Sequence, residues 1–161
     1  MIRAMKQQDS PRVLEIYRMG LETGNATFET RVPQWDLWDS VHLPHSRFVF
    51  EENGMVFGWA ALSAVSVREV YIGVAELSIY VDTQRRGQGI GSRLMEEMIR
   101  SSEENGIWTL FSALFPENEA TLRLHLKYGF RVIGKRERIA MLHGIWRDTL
   151  ILERRSKVVG I

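Results

Sequence analysis

The 161-residue sequence contains no cysteine. It can therefore form no disulfide, bind no metal through thiolates and use no cysteine nucleophile. Its four prolines are too few for a proline-rich linker. The 21 Lys and Arg residues nearly balance the 20 Asp and Glu residues, which leaves a net charge of +1. No global field therefore favours a nucleic acid or an anionic membrane as partner.

Long apolar runs are also missing. No stretch approaches the roughly 20 residues that a membrane span requires, and the first residues lack the apolar core of a signal peptide. We therefore expect a cytoplasmic protein with neither a nucleic-acid nor a membrane partner. The length predicts a single domain over residues 1–161. The four histidines show no metal-ligand spacing, so we expect no metal site.

A basic, glycine-rich segment in the middle of the chain, Gln84 to Met95, is the strongest functional signal. It follows an apolar, strand-like stretch, Val74 to Val81, and precedes apolar residues at helical spacing. A strand, a glycine turn and a helix N-terminus together offer backbone N–H groups and arginines to one anion. The segment predicts a phosphate or pyrophosphate site, although a tight turn with surface arginines remains an alternative. It lacks the Lys-Ser/Thr ending of a nucleotide P-loop and the glycine spacing of a dinucleotide fingerprint.

Turn and cap signals divide the rest of the chain. Ser10 followed by Pro11 predicts a helix start with Ser10 as the cap, and a second short helix is expected over about 34–43. Asn53-Gly54 predicts a hairpin turn, and Asn118 predicts the cap of a helix from about Glu119 to Tyr128. The last predicted strands are 130–134, 137–142 and 149–153. This order predicts an α+β fold, with a mixed central β-sheet flanked by helices on both faces.

Glu76 lies inside the predicted strand Val74 to Val81. Alternation places it on one face with Ser78 and Tyr80, opposite Ala75 and its companions. A carboxylate among mid-sheet residues needs a reason, because burying an unpaired charge is costly. Two interpretations remain open: an ion pair or water-facing strand, or a general base whose pKa is raised by burial.

The predicted helix after Asn118 carries a second pair of candidates. Thr121, His125 and Tyr128 share one face of it. A lone histidine there is either a satisfied structural residue or an acid that protonates a leaving group. Asn118 is either an N-cap alone or a cap that also binds a cofactor.

Together these segments resemble one branch of the GCN5-related N-acetyltransferase (GNAT) superfamily, the branch of the phosphinothricin and methionine sulfone or sulfoximine acetyltransferases. The spacing of Arg86, Gly89 and Gly91 is similar to that of the acyl-CoA pyrophosphate loop of this superfamily. The resemblance spans the chain from about Ile2 to Glu153. Its other matching stretches are Ala75 to Val81, Asn118 to Phe130, and His143 to Asp148, which resembles the branch's Gly-x-Trp-x-Asp signature.

The resemblance implies the GNAT fold and an N-acetyltransferase that moves the acetyl group of acetyl-CoA to the primary amine of a small amino-acid-like acceptor, without a metal. A protein or peptide N-acetyltransferase and a non-catalytic acyl-CoA-binding protein are the alternatives. Glu76 would be the general base, and His125 would be the acid. The implied acetyl-CoA contacts are Ile79, Tyr80, Val81, Arg86, Gly87, Gln88, Gly89, Ile90, Gly91, Ser92 and Asn118.

The resemblance also implies an acceptor pocket and an oligomeric state. Arg68 would pair with an acceptor carboxylate or phosphinate, since its planar fork suits such groups. Relatives are commonly dimers, so a homodimer is expected, with four aromatic residues as either interface or core: Trp35, Trp38, Phe57 and Trp59. The implied acceptor contacts are Phe28, Glu29, Arg68, Tyr71 and Tyr128.

Overall fold

The computed structural model describes all residues from 1 to 161. Seven strands form one mixed sheet in the order β1-β2-β3-β4-β5-β7-β6. No helix combines the length and the apolar character needed to cross a bilayer. The predicted α+β fold is confirmed. The elements are β1 Ile2–Ala4, α1 Ser10–Glu22, α2 Trp35–Val41, β2 Phe48–Glu52, β3 Met55–Ala64, β4 Val74–Val81, α3 Ile90–Glu104, β5 Thr109–Leu114, α4 Glu119–Lys127, β6 Arg131–Leu142 and β7 Ile145–Arg155.

Helices α1 and α2 cover one face of the sheet. Val13 of α1 packs there in a buried cluster with Trp38 of α2 and Trp59 of β3. Trp38 and Trp59 are each only 1% exposed, so they belong to the core and not to an interface. Trp35 is partly buried against this cluster, and Phe57 is partly buried against the core on the opposite face of the sheet.

Helix α3 covers the opposite face. Leu94 and Met98, four residues apart on α3, are fully buried against Ala75 and Leu77 of β4. This arrangement follows from the sequence, because residues four apart share a helix face and residues two apart share a strand face. Ala75 and Leu77 therefore point towards α3, which leaves Glu76 on the α1 face.

Strands β4 and β5 separate in the middle of the sheet. Their parallel pairing covers only 74–76 of β4 and 109–111 of β5. Beyond that point β4 continues to pair with β3 as far as Val81, while β5 continues with β7 as far as Leu114. A gap therefore opens between the carboxyl ends of two adjacent parallel strands, which is where open α/β sheets commonly bind ligands.

The direction of the β4 backbone follows from its pairing with β3. Backbone hydrogen bonds join Val65 N to Val74 O (3.5 Å) and Asp82 N to Phe57 O (2.9 Å). Since directly opposite residues in antiparallel strands alternate between bonded and non-bonded pairs, the even-numbered residues of β4 face β3. The odd-numbered residues beyond Glu76 point their N–H and C=O groups into the gap: Leu77, Ile79 and Val81.

Several predicted boundaries are corrected. Ser10 is the first residue of α1 and does not cap it; Asp9 holds the cap position, and its carboxylate is engaged by Arg3 and by the N–H of Lys6. The second helix is shorter than predicted, Trp35–Val41. The two strands predicted over 130–134 and 137–142 are one strand, β6, with irregular register around Arg138 (φ 47°).

The start of β7 is also earlier than predicted, at Ile145 instead of residue 149. The hairpin turn between β6 and β7 is His143-Gly144, with φ of 49° and 78°. Positive φ at both central residues is the two-residue turn that matches strand twist. The ladder between β6 and β7 therefore begins directly at the turn, with Leu142 opposite Ile145.

Candidate active site

A deep cleft opens at the gap between β4 and β5. Its volume is about 1270 Å³, above the roughly 300–1,000 Å³ typical of a site for one small ligand. One side, which we call the loop side, is formed by the glycine-rich segment and by α4. The other, the aromatic side, is formed by Glu76 and by Tyr17, Phe28, Trp38, Trp59 and Tyr80. The cleft therefore has room for two ligands that meet at β4.

The glycine-rich segment presents the N-terminus of α3 to the cleft. Gly87 and Gly89 have positive φ, at 73° and 79°, a conformation that L side chains rarely adopt. Gly89 occupies the N-cap position of the 15-residue helix and supplies no capping side chain. The first N–H groups of α3 therefore retain their hydrogen-bonding capacity and the positive end of the helix dipole. These groups are suited to bind an anion on the loop side of the cleft.

The two arginines of this segment differ in their hydrogen bonds and ion pairs. Arg85 donates to Gln88 Oε1 (2.7 Å) and to Glu52 Oε2 (2.6 Å). Arg86 lines the cleft and forms no hydrogen bond or ion pair, so it is free to pair with a bound anion. The side chain of Gln88 is held by Arg85, and Gln88 does not line the cleft, unlike the other predicted contacts of this segment.

Glu76 lies where the pairing of β4 with β5 ends, half-buried on the aromatic side. No hydrogen bond or ion pair engages its carboxylate, which argues against the ion-pair interpretation. Burial raises the pKa of Glu76 above its ordinary value because desolvation penalises the ionised form. An unpaired carboxylate with a raised pKa in a cleft is suited to act as a general base.

Two phenols flank Glu76 on the aromatic side. Tyr80 stacks on Trp59 at a centroid distance of 4.9 Å and meets Tyr17 edge-on at 5.0 Å. Burial raises the pKa of Tyr17 to about 12. Burial also raises the pKa of Tyr80, with a smaller contribution from Tyr17, Glu76 and Glu29. Both phenols therefore stay protonated donors, while the backbone of Tyr80 faces β3 and does not enter the gap.

His125 lines the cleft, yet both of its ring nitrogens are engaged. Nδ1 lies 2.7 Å from the carbonyl oxygen of Thr121, and Nε2 lies 3.0 Å from Ser112 Oγ. A carbonyl can only accept, so Nδ1 carries the proton and Nε2 accepts from the Ser112 hydroxyl. Burial lowers the pKa of His125. The resting ring is therefore a neutral imidazole that holds Ser112 and the first turns of α4.

Comparison with known proteins now identifies the family. Residues 10–130 match the acetyltransferase (GNAT) family model. The chain belongs to this family. The protein is an acetyl-CoA-dependent N-acetyltransferase, and the free α3 N-terminus, Arg86 and the open edge of β4 fit the phosphates and the pantetheine arm of that donor.

Relatives place the chain near one branch of the family. It is 33% identical over 159 residues to YwnH of Bacillus subtilis (strain 168), with 95% of this chain and 97% of YwnH covered. YwnH is named as a proposed phosphinothricin acetyltransferase. It is 26% identical to the L-methionine sulfoximine/L-methionine sulfone acetyltransferase of Salmonella typhimurium, with 94% and 92% covered. A phosphinothricin acetyltransferase from Sinorhizobium meliloti, solved with acetyl-CoA, superimposes with a TM-score of 0.91 at 28% identity and covers 99% of this chain and 90% of its own.

The linker between α1 and α2 forms a wall of the acetyltransferase cleft and is fixed to the sheet. Arg147 of β7 donates to Gly24 O (2.9 Å) and to Asn25 Oδ1 (2.7 Å), and its guanidinium lies 4.0 Å from the Phe115 ring centroid. Asn118 Oδ1 accepts from the N–H of Thr121 (3.4 Å), which confirms the predicted cap of α4. Asn118 Nδ2 donates to Asn25 O (3.2 Å), so the linker contacts both β7 and α4.

The predicted acceptor residues do not all meet at the cleft. Phe28 and Glu29 line it. Arg68 and Tyr71 line a separate pocket of about 310 Å³ in the loop between β3 and β4, with the guanidinium 5.4 Å from the Tyr71 ring. This loop precedes Val74, at the end of β4 opposite the gap. Tyr128 does not line the cleft either, and its hydroxyl donates to Glu96 Oε1 (2.7 Å).

Sequence reasoning also missed several residues that line the cleft. Tyr17 of α1 lines the cleft, and nothing in its local sequence pattern marks it as a site residue. Thr149 and Arg136 sit in strands where alternation gave no functional signal. Only the sheet register brings these two residues together.

Proposed function

We propose that this N-acetyltransferase acetylates the primary amine of a small amino-acid-like acceptor: phosphinothricin, methionine sulfone, methionine sulfoximine or a related compound. The observation that carries the proposal is Glu76, an unpaired carboxylate with a raised pKa at the point where the β4 edge becomes free. The names of the relatives support the acceptor class. The aromatic side, lined by Tyr17, Phe28 and Trp38, suits a small molecule.

The loop side would hold the acetyl donor. The N–H groups of Ile90, Gly91 and Ser92, together with Arg86, would bind the pyrophosphate at the helix N-terminus. The backbone groups of Ile79 and Val81 would pair with the pantetheine amides as an added strand would. Asn118 would contribute its amide from the N-terminus of α4.

The chemistry would follow from this placement. Glu76, directly or through a water, takes a proton from the acceptor ammonium. The neutral amine then forms a C–N bond to the thioester carbonyl carbon, and an N–H of Ile79 or Val81 stabilises the resulting oxyanion. The adduct nitrogen gives up its second proton to solvent, the C–S bond breaks as the carbonyl reforms, and the departing thiolate takes up one proton.

That proton comes from His125 or from water, and the burial of His125 favours water. Because burial lowers its pKa, an acid role would require an imidazolium that the site disfavours. We expect His125→Asn, which can keep the bond to Thr121 O, to lower kcat less than tenfold and to leave the pH profile of kcat unchanged. A fall of about 10²-fold or more, the scale of lost acid–base catalysis, would establish His125 as the acid.

Arg147 is expected to govern the acceptor site through the α1–α2 linker. Arg147→Ala removes charge-assisted hydrogen bonds to Gly24 and Asn25, and such bonds contribute about 1.5–3 kcal/mol each. It also removes an ion pair with the exposed carboxylate of Glu117 (3.3 Å). We expect the KM for the acceptor to rise about tenfold, with a smaller change for acetyl-CoA, and Arg147→Lys to recover part of the loss. Steady-state kinetics with both substrates tests this.

The matched control for this prediction is Arg131→Ala on β6. Its ion pair with Glu153 is long (3.7 Å) and exposed, so both KM values should stay at wild-type levels. Equal acceptor KM values for Arg147→Ala and the wild type would show that the linker does not depend on Arg147.

A homodimer is also proposed. The β6–β7 hairpin exposes a series of large apolar side chains, and contiguous exposed apolar surface commonly marks an interface. Sedimentation equilibrium measures the mass of the protein in solution and so distinguishes a homodimer from a monomer. The exposed residues are Val132, Ile133, Ile139, Met141, Ile145 and Trp146.

The proposed function is tested by thiol release from acetyl-CoA against a panel of amines. The panel contains phosphinothricin, methionine sulfone and sulfoximine, the common amino acids, polyamines, aminoglycosides and short peptides. Turnover that is highest with phosphinothricin, the sulfone or the sulfoximine supports the proposal. Turnover with peptides alone assigns the activity to protein modification, and acetyl-CoA binding without turnover on any amine contradicts the proposed acceptor class.

A further inference from the structure

A buried hydroxyl on the aromatic side has no partner. Thr149 of β7 is 6% exposed and lines the cleft, and its Oγ1 forms no hydrogen bond. Buried side-chain polar atoms are nearly always hydrogen-bonded, and each exception needs an explanation. A hydroxyl can donate to an anion, so a ligand acceptor atom is one such explanation.

The residue directly opposite Thr149 is a free arginine. Arg136 of β6 is its Cα partner in the antiparallel ladder, and directly opposite side chains lie on the same face about 4.5–5.5 Å apart at Cβ. Arg136 also lines the cleft, and its guanidinium forms no hydrogen bond or ion pair. The register therefore pairs an arginine whose guanidinium is free with a residue whose hydroxyl is unpartnered.

The sheet register places this pair on the side of the cleft that holds Glu76. Glu76 is opposite Phe111 of β5, and Ala113, two residues on, is opposite Ile151 of β7. Thr149, two residues from Ile151, therefore points to the same face as Glu76. It lies towards the end of the sheet where the gap opens.

The other arginines that line the cleft are less suited to an acceptor anion. Arg85 is committed to Glu52 and Gln88, and Arg86 belongs to the glycine-rich segment on the loop side. Arg123 of α4 is exposed and pairs weakly with Glu119 (3.8 Å). Arg31 in the α1–α2 linker is unpaired but has no buried hydroxyl opposite it. Arg68, which the sequence favoured for this role, lines the separate pocket.

We propose that Arg136 and Thr149 form the subsite that binds the carboxylate of the acceptor while Glu76 faces its amine. A guanidinium matches a carboxylate through two parallel N–H bonds, and the Thr149 hydroxyl adds a third donor. The proposal rests on the proposed function, and it narrows the acceptor to a free amino acid. An amine without a carboxylate leaves these donors unpaired, which is the strongest basis for rejecting a substrate analogue.

The test compares methionine sulfone with the amine obtained by removing its carboxylate, 3-(methylsulfonyl)propylamine. We expect the wild type to prefer the amino acid by about 100-fold in kcat/KM. Arg136→Gln should lower kcat/KM for the amino acid by about 10- to 100-fold and leave the amine unchanged. Arg138→Gln is the matched control, because Arg138 lies on the same strand, does not line the cleft, and should retain the wild-type preference.

Thr149→Val supplies a readout that does not depend on turnover. Because the hydroxyl is buried and unpaired, we expect the valine variant to keep or raise the melting temperature while weakening amino-acid binding several-fold in calorimetry. A wild-type preference retained in Arg136→Gln, or equal use of both compounds by the wild type, overturns the subsite and leaves the proposed function standing. Failure of the wild type to acetylate these two compounds and every other amino-acid acceptor of the panel overturns both.

Discussion

Glu76→Gln is expected to lower kcat roughly 100-fold or more, the scale of lost general-base catalysis, while leaving the dissociation constant for acetyl-CoA unchanged. The amide keeps the shape of the side chain but cannot accept a proton from the acceptor ammonium. Acetyl-CoA binding depends on the loop side of the cleft, which the substitution does not touch. Single-turnover kinetics and equilibrium binding of acetyl-CoA separate the two effects.

Stability provides an independent check on the same residue. Burial raises the pKa of Glu76 in the folded state, so the folded protein binds this proton more tightly than the unfolded chain does. The corresponding stability is complete below the unfolded pKa and is lost as pH rises through the folded pKa. At pH 7 the wild type carries this desolvation cost and Glu76→Gln does not. The variant should therefore melt at the same or a higher temperature at pH 7.

Glu69→Gln is the matched control for Glu76→Gln, because Glu69 lines the smaller pocket in the β3–β4 loop. We expect it to keep wild-type turnover. Wild-type turnover in Glu76→Gln across the pH range would remove Glu76 from the mechanism. A fall in turnover accompanied by a lower melting temperature would indicate structural damage instead.

The sequence predicted correctly those elements that depend on patterns within a few neighbouring residues. Alternation in 74–81 and the glycine-rich turn before Ile90 act within a few residues, so β4 and the start of α3 lie where they were expected. The Asn118 cap depends on a hydrogen bond three residues away and is confirmed for the same reason. The roles of the residues around them remain predictions.

The missed features depend on contacts between distant segments. Arg68 appears close to Glu76 in the sequence, yet the β3–β4 loop leaves the sheet at the end opposite the gap, so the two residues line different pockets. The pairing of Arg136 with Thr149 depends on the register of β6, which an irregularity near Arg138 shifts. The alternation of side chains within one strand does not reveal which of its residues lies opposite which residue of the neighbouring strand.

Ser92→Asp is expected to weaken acetyl-CoA binding about 100-fold without destabilising the fold. Ser92 is the third residue of α3, where a carboxylate interacts favourably with the helix dipole by about 0.3–1 kcal/mol. The same carboxylate would stand at the proposed pyrophosphate position. At an effective dielectric constant near 20, two like charges about 4–5 Å apart repel by roughly 3–4 kcal/mol. Each 1.4 kcal/mol is about a tenfold change in affinity.

The neutral variant Ser92→Asn separates charge from size, because asparagine has nearly the shape of aspartate. We expect Ser92→Asn to raise the dissociation constant for acetyl-CoA only a few-fold, and the gap between the two variants to narrow as salt screens the repulsion. The melting temperature of Ser92→Asp should equal or exceed that of Ser92→Asn. Equal affinities for the two variants at low salt would place the pyrophosphate away from the α3 N-terminus, because a charge in the first turn of that helix acts only on an anion bound beside it.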